Sequence, residues 1–367
     1  MVASNTHGPL SLCRAFVHSP TVCPSTKKSL LQVAAPFIGK CFYSSSSRVQ
    51  RVVAAMQVWA VSDVHTDYPD NLAWCKDLDT HSEDCLIVAG DISDNVQTFA
   101  ATLRCFTQKF KHVFFVPGNN DLWTRREERG KHTSLEKLEA LRRLCTEVGV
   151  HTAPCCIEGV WLVPLYSWYH ASFDAEPDIP GALPAHKIMV DFHACSWPEA
   201  LDATSPSLAI HFDQMNEEPV ADVVSACQSS ADASCDWPPV ITFSHFLPRQ
   251  ALLPEKRMLY QPNLAKAAGS NFLAARIQQL KPVAHVFGHT HFNWDCSIDG
   301  VRYLQRPLAY PKERRKHGAD TKWAPALVYD TKSGLSSQRH AYWSDYYLTH
   351  SREVNDVHPA PWVSLCR

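Results

Sequence analysis

Five short apolar runs, each ending in a small polar cluster, constrain what this chain can fold into. Val58 to Val61 leads into Asp63-Val64-His65, Leu86 to Ala89 into Gly90-Asp91, and Val113 to Val116 into Gly118-Asn119-Asn120-Asp121. Further on, Val240 to Phe243 leads into Ser244-His245, and Val283 to Phe287 into Gly288-His289-Thr290-His291. Runs this short, rich in β-branched and aromatic residues, have the pattern of strands buried on both faces. Between them, Asn95 to Phe110, Ser134 to Val148 and Ser270 to Leu280 carry apolar residues at three- and four-residue spacing, which predicts helices. Strands alternating with helices predict an α/β layered fold. Open α/β sheets bind ligands beyond the carboxyl ends of their strands, and all five clusters fall there.

Aspartate, asparagine and histidine hold divalent ions through O and N donors. A carboxylate can span two cations, and neutral imidazoles complete the shell without excess charge. Two such ions close together can clamp a phosphate and generate a hydroxide to attack it. Each residue alone has a plainer use: Asp91 or Asn119 would cap a helix or shape a turn, and His245 would be a hydrogen-bonded core histidine. His285 lies inside the strand before Gly288 and reads as structural.

Taken in order, the clusters resemble the blocks of the calcineurin-like metallophosphoesterase superfamily: D-x-H, G-D-x-x, G-N-H-[DE], a lone His after an apolar strand, and G-H-x-H. The first three stand roughly 25 residues apart, one β-α step each. The resemblance covers Gln57 to Asp330 and implies a four-layer α/β/β/α sandwich of two mixed sheets flanked by helices. It also implies two divalent metal ions. Asp63, His65, Asp91 and His291 would hold one; Asp91, Asn119, His245 and His289 would hold the other, with Asp91 bridging. Mn²⁺, Fe or Zn²⁺ suits this mixed N/O set better than Ca²⁺. The implied activity is hydrolysis of a phosphodiester or an activated phosphomonoester by a hydroxide bridging the metals.

One position departs from the family. Where the third block usually has His, able to protonate the leaving oxygen, this chain has Asn120, whose carboxamide does not titrate near neutral pH. General acid catalysis contributes ~10²–10⁴ in rate, so poor leaving groups should react slowly unless another donor stands in. Asp121, which in the family orients that His, is expected to hold Asn120 or a water. The departure keeps two other readings open: a metallophosphoesterase-fold binding module with little or no catalysis, and a phosphoprotein phosphatase.

The 367 residues are 45% hydrophobic with a net charge of −2, enough for one large domain or two small ones and unlike a general nucleic-acid binder. No apolar run reaches the ~18 residues of a membrane span. The 14 cysteines include no C-x-x-C pair, and Cys155-Cys156 reads as buried small hydrophobes.

Residues 1–56 are different material. They contain no Asp or Glu, are rich in Ser, and carry Arg14, Lys27, Lys28, Lys40, Arg48 and Arg51. That is the composition of an organelle transit peptide, expected to direct the chain to a plastid, with mitochondrion or cytoplasm as alternatives; a disordered, non-targeting extension is the plainer reading. Residues 57–342 form the metallophosphoesterase domain, with an acidic insertion at about 171–237. In the insertion, Ser225 to Cys235 is expected to be disordered, while Phe192, Trp197, Phe212 and Met215 would anchor the rest by surface packing or as a lid. After the last block, Asp299-Gly300 marks a hairpin turn, and a basic stretch follows from Arg302 to Lys316. Arg249 and Arg306 are candidates to bind a substrate's second phosphate or charged tail, since Arg pairs bidentately with phosphate. Residues 343–367 read as an edge extension without chemistry. The expected partner is a small phosphorylated substrate.

Overall fold

The computed structural model describes residues 55–234, 236–316 and 323–364. The expected import segment, apart from its last residues, and Cys235 lie outside the described residues.

The described strands are β1 (Gln57–Val61), β2 (His81–Ala89), β3 (Phe110–Val116), β4 (Val150–His151), β5 (Cys155–Ile157), β6 (Val160–Pro164), β7 (Val240–Phe243), β8 (Ala284–Phe287), β9 (Trp294–Ile298), β10 (Val301–Gln305), β11 (Ala326–Asp330) and β12 (Gly334–Leu335). They form two six-stranded mixed sheets, ordered β12-β11-β1-β2-β3-β4 and β5-β6-β7-β8-β10-β9. In the first sheet β1 to β4 run parallel, and β11 returns antiparallel to β1. In the second, β6, β7, β8 and β10 run parallel between the antiparallel edges β5 and β9.

Side-chain alternation divides each strand between two cores. Along β2, Cys85, Ile87 and Ala89 belong to a core shared with Leu162 of β6, Ile241 and Phe243 of β7, and Val286 of β8. That core is the contact between the sheets. Leu86 and Val88 instead join a core that includes Phe99, Leu103, Phe106, Leu138 and Leu141 from the outer helices. Because successive residues of a strand point to opposite faces, continuous apolar runs require cover on both sides. The result is the expected layering of helix, sheet, sheet and helix.

The helices begin where side chains can cap them. Asn95 Oδ1 accepts from the Thr98 amide at 2.9 Å, opening Val96–Lys109. Thr133 and Glu136 form a reciprocal capping box at the start of Ser134–Glu147. The hairpin of β9 and β10 turns at Asp299-Gly300 as expected, with φ of 52° and 81°, both in the left-handed region.

Two expectations are corrected. Ser225 to Ser234 is not disordered; it is the second half of the helix Glu217–Ser234, which buries Val220, Val223 and Cys227 along one stripe. Three- and four-residue spacing outweighs the small polar residues between them. Cys155 and Cys156 are half-buried rather than buried, because β5 is an edge strand. The helix Tyr342–Thr349 lies along the β9 edge, with the Tyr347 ring 6.2 Å from that of Trp294. No helix among the described residues is long and apolar enough to cross a membrane.

Candidate metal centre

The loops after β1, β2, β3, β7 and β8 converge at one rim of the sandwich. Asp63 N donates to Gly90 O at 3.0 Å, His65 N to Asp91 O at 2.9 Å and Gly288 N to His245 O at 2.9 Å. Of the nine non-glycine residues with positive φ among the described residues, five are Asp63, His65, Asp91, His289 and His291. Such conformations cost on the order of 1–3 kcal/mol each and persist where the surroundings over-determine them. Two glycines give the room: a Cβ on Gly118 would stand 2.1 Å from Asp91 Oδ1, and one on Gly90 would stand 2.4 Å from His245 Nδ1.

The seven side chains expected as ligands form two adjoining groups. In the first, one ligand atom from each of Asp63, His65, Asp91 and His291 lies within 4.8 Å of the others. Nε2 of His65 and Nε2 of His291 face each other at 3.0 Å. In the second, Asn119 Oδ1 is 3.0 Å from His245 Nε2 and 2.9 Å from His289 Nδ1. Asp91 belongs to both: its Oδ2 is 3.9 Å from His65 Nε2 and its Oδ1 3.5 Å from His245 Nε2.

The far sides of the rings decide what this geometry requires. His245 Nδ1 lies 2.9 Å from Ala89 O, and His289 Nε2 lies 2.9 Å from Ala267 O. A carbonyl only accepts, so each ring nitrogen there donates and the neutral ring presents a bare lone pair to Asn119 Oδ1, itself an acceptor. Lone pairs converging without a proton between them fit a cation, and a far-side hydrogen bond is the usual support of a metal-bound imidazole. Electrostatics agree. Burial, then the neighbouring Asp121 and Asp63 carboxylates, pushes the Asp91 carboxyl well above the usual range. Burial, with His291 and His245 adding, pushes His65 well down. A divalent cation offsets the penalty on the Asp91 carboxylate and takes His65 in the neutral form that burial already favours.

Asp121 does something other than expected. Its Oδ2 accepts from the amides of Asp91 and Gly118, each at 2.9 Å, and its Oδ1 from those of Ile92 and Ser93, at 2.8 and 3.1 Å. The carboxylate pins the loop that presents Asp91 and does not hold the Asn120 side chain. Asn120 is fixed through its backbone, whose N–H donates to Asp91 Oδ1 at 2.8 Å, while its Oδ1 is buried without a hydrogen-bond partner.

Two supporting residues escaped the sequence reading. Asp191, in the acidic insertion, is 2% exposed and accepts from Asn119 Nδ2 at 2.8 Å and Trp123 Nε1 at 2.6 Å. It turns Asn119 so that Oδ1 faces the two imidazoles. Among the insertion's many acids nothing marks it beyond its place beside Phe192. Glu313, hidden in the basic stretch, has Oε2 2.8 Å from His291 Nδ1 and also accepts from the Tyr310 amide at 3.2 Å. The two candidate arginines are engaged with protein groups. Arg249 pairs with Asp299 at 2.6 Å, and Arg306 donates to Ala324 O and Asn293 Oδ1 while lying over the Trp323 ring.

The family model for calcineurin-like phosphoesterases matches residues 56–226, which include the first three blocks and Asp191. Residues 56–226 are thus a calcineurin-like metallophosphoesterase segment. Metallophosphoesterases use divalent metals, and this one is accordingly a metal-dependent hydrolase of phosphoesters. It is similar to the acyl-carrier-protein phosphodiesterase PptH of Mycobacterium tuberculosis, 26% identical over 308 residues, covering 77% of this chain and 89% of that protein. The crystal structure of phosphopantetheinyl hydrolase PptH from Mycobacterium tuberculosis superposes with a TM-score of 0.58 at 24% identity, covering 75% of this chain and 96% of that one. The likeness extends the shared fold through the second sheet, beyond the segment matched by the family model.

Proposed function

We propose that this metallophosphoesterase cleaves the phosphodiester of a phosphopantetheinylated carrier protein, releasing the phosphopantetheine arm. The observation that carries the reading is the similarity to PptH, an acyl-carrier-protein phosphodiesterase, over 77% of this chain and 89% of that protein. Asn120 is compatible with it, since a diester has one fewer charged oxygen than a monoester and makes a lighter demand on phosphate-facing cations.

Two ions, of Mn, Fe or Zn, are the proposed cofactors: Asp63, His65, Asp91 and His291 would hold one, and Asp91, Asn119, His245 and His289 the other. When bound, such ions polarise phosphoryl oxygens and lower the pKa of a bound water. The chain's own part is positioning. His289 N donates to Asp63 Oδ1 at 2.8 Å and the Ser62 hydroxyl donates to Asp63 Oδ2, so this carboxylate is held from both sides. Asp121 fixes the Asp91 loop, and Asp191 fixes Asn119. With Asn120 unable to titrate, the leaving oxygen takes its proton from water.

The test is incubation of metal-loaded enzyme with a phosphopantetheinylated carrier protein, followed by intact-mass measurement. Loss of the arm's mass from the carrier supports the reading, and an unchanged carrier alongside turnover of an aryl phosphodiester excludes it. We further propose that residues 1–56 direct import into a plastid. A reporter fused behind them should enter that organelle, and one that stays in the cytosol uncleaved argues against import.

A further inference from the structure

The two halves of the metal centre differ in cover. Around His289, Phe246 lies with its ring 4.8 Å away and Tyr169 with its ring 6.3 Å away, and the insertion brings Asp191 against Asn119. That side is packed by aromatic rings. On the other side the wall is one residue thick: the Tyr310 ring lies 4.4 Å from that of His65 and 4.8 Å from that of His291. Beyond it opens a cavity of about 470 Å³ whose lining includes Tyr68, Pro69, Asp70, Tyr310, Pro311 and Lys312, within the ~300–1,000 Å³ usual for small-molecule sites. The Tyr68 and Tyr310 rings stand 5.3 Å apart, and Tyr68 leaves 44% of its surface exposed. Glu313, also on the lining, faces His291 at 2.8 Å and so ties the cavity wall to the metal centre.

We propose that this cavity is the subsite for the organic arm of the phosphodiester, taking the uncharged, methyl- and amide-bearing pantetheine chain against the Tyr68, Tyr310, Pro69 and Pro311 walls. The assignment rests on the phosphodiesterase reading above. Tyr310 and Glu313 border both the cavity and the imidazoles of the centre, so a substituent that leaves a phosphate past His65 and His291 on this side runs along the cavity wall. Aromatic and proline surfaces bury methyl groups and chain methylenes, while Lys312 offers a donor to amide oxygens and Arg315 is paired with Asp70 at 3.5 Å. The cavity is concave and small, which suits an extended chain better than the face of a folded protein, so the carrier stays outside the mouth.

Two measurements test it. Pantetheine is titrated as an inhibitor of methyl p-nitrophenyl phosphate hydrolysis, and the kcat/KM ratio of phosphopantetheinylated carrier to methyl diester is compared between wild type, Tyr68→Ala and Tyr68→Phe. The expected result is competitive inhibition that weakens about tenfold in Tyr68→Ala, a selectivity ratio that falls about tenfold through KM, and recovery of both in Tyr68→Phe. If Tyr68→Ala leaves both the inhibition and the ratio at wild-type values while wild type cleaves the carrier, the subsite is wrong and the phosphodiesterase reading stands. If wild type never cleaves the carrier but pantetheine still inhibits through Tyr68, the subsite stands and the substrate reading falls. A Tyr68→Ala ratio that drops with pantetheine inhibition unaltered would assign the cavity to the carrier's own surface and overturn the proposal.

Discussion

Asp191 reaches from the acidic insertion to within 2.8 Å of Asn119 Nδ2, joining residues 72 positions apart in the chain. The insertion is thereby part of the metal centre. Asp191→Ala frees Asn119 to rotate, and losing such an outer partner typically costs ~10–100-fold in metal affinity. Chelator competition on the purified variant measures this, and an affinity equal to wild type would show that Asn119 is held some other way.

Asp91→Asn should empty both halves of the centre, because Asp91 faces His65 with one oxygen and His245 with the other and an amide brings no charge to either. Elemental analysis should find near-zero metal per chain. His132→Ala, on an exposed turn away from the clusters, should keep the wild-type content.

Asn120→His is expected to give far less than the ~10²–10⁴ of a positioned acid. Asp121 is committed to four backbone amides and has no lone pair directed at a new imidazole. The dependence of rate on leaving-group pKa across a series of aryl diesters should stay as steep in the variant as in wild type. A flattened slope would mean that Asp121, or a substitute, turns to orient the ring.

His285 gives the fold a pH dependence separate from the metals. Burial pushes its pKa down to about 3, and the ring is held neutral between Thr242 Oγ1 at 2.8 Å and Ser244 Oγ at 3.1 Å. The unfolded chain therefore binds the extra proton between the ordinary histidine pKa and about 3. Stability is full above the ordinary value and falls as pH drops through that window. At pH 5 the loss from this residue is about 2 kcal/mol. Urea unfolding at pH 7 and pH 5 should show His285→Asn losing less stability on acidification than wild type by about that amount. Equal losses in the two proteins would exclude the assignment.

The layered fold and the meeting of the five clusters were legible in the sequence because both follow from local pattern. An apolar run with a polar end is a strand and its loop, and parallel strands place their loops at one rim. What stayed illegible was whatever depends on the third dimension alone. Asp191 is one acid among many until the fold presses it against Asn119, and Glu313 sits among Lys312, Arg314 and Arg315, where charge counting hides it. Asp121 followed its neighbours in the motif, but the direction its carboxylate faces is set by the turn at Gly118, not by adjacency to Asn120. The helix through Ser225 is masked by its small polar residues, and only the spacing of Val220, Val223 and Cys227 betrays its buried stripe.

The contact between His245 and Ala89 has a mechanical side. Ala89 ends a strand of the first sheet and His245 follows a strand of the second, so the donors of the centre are divided between two layers that touch elsewhere through apolar side chains. A cation gripped by both layers is a rivet through the sandwich. It binds only when the layers are docked in register, and by mass action free metal at about a hundred times its dissociation constant holds them together by ~2.7 kcal/mol. The melting temperature of this enzyme should therefore climb with free metal concentration, and chelation should loosen the seam between its sheets before it unwinds either one.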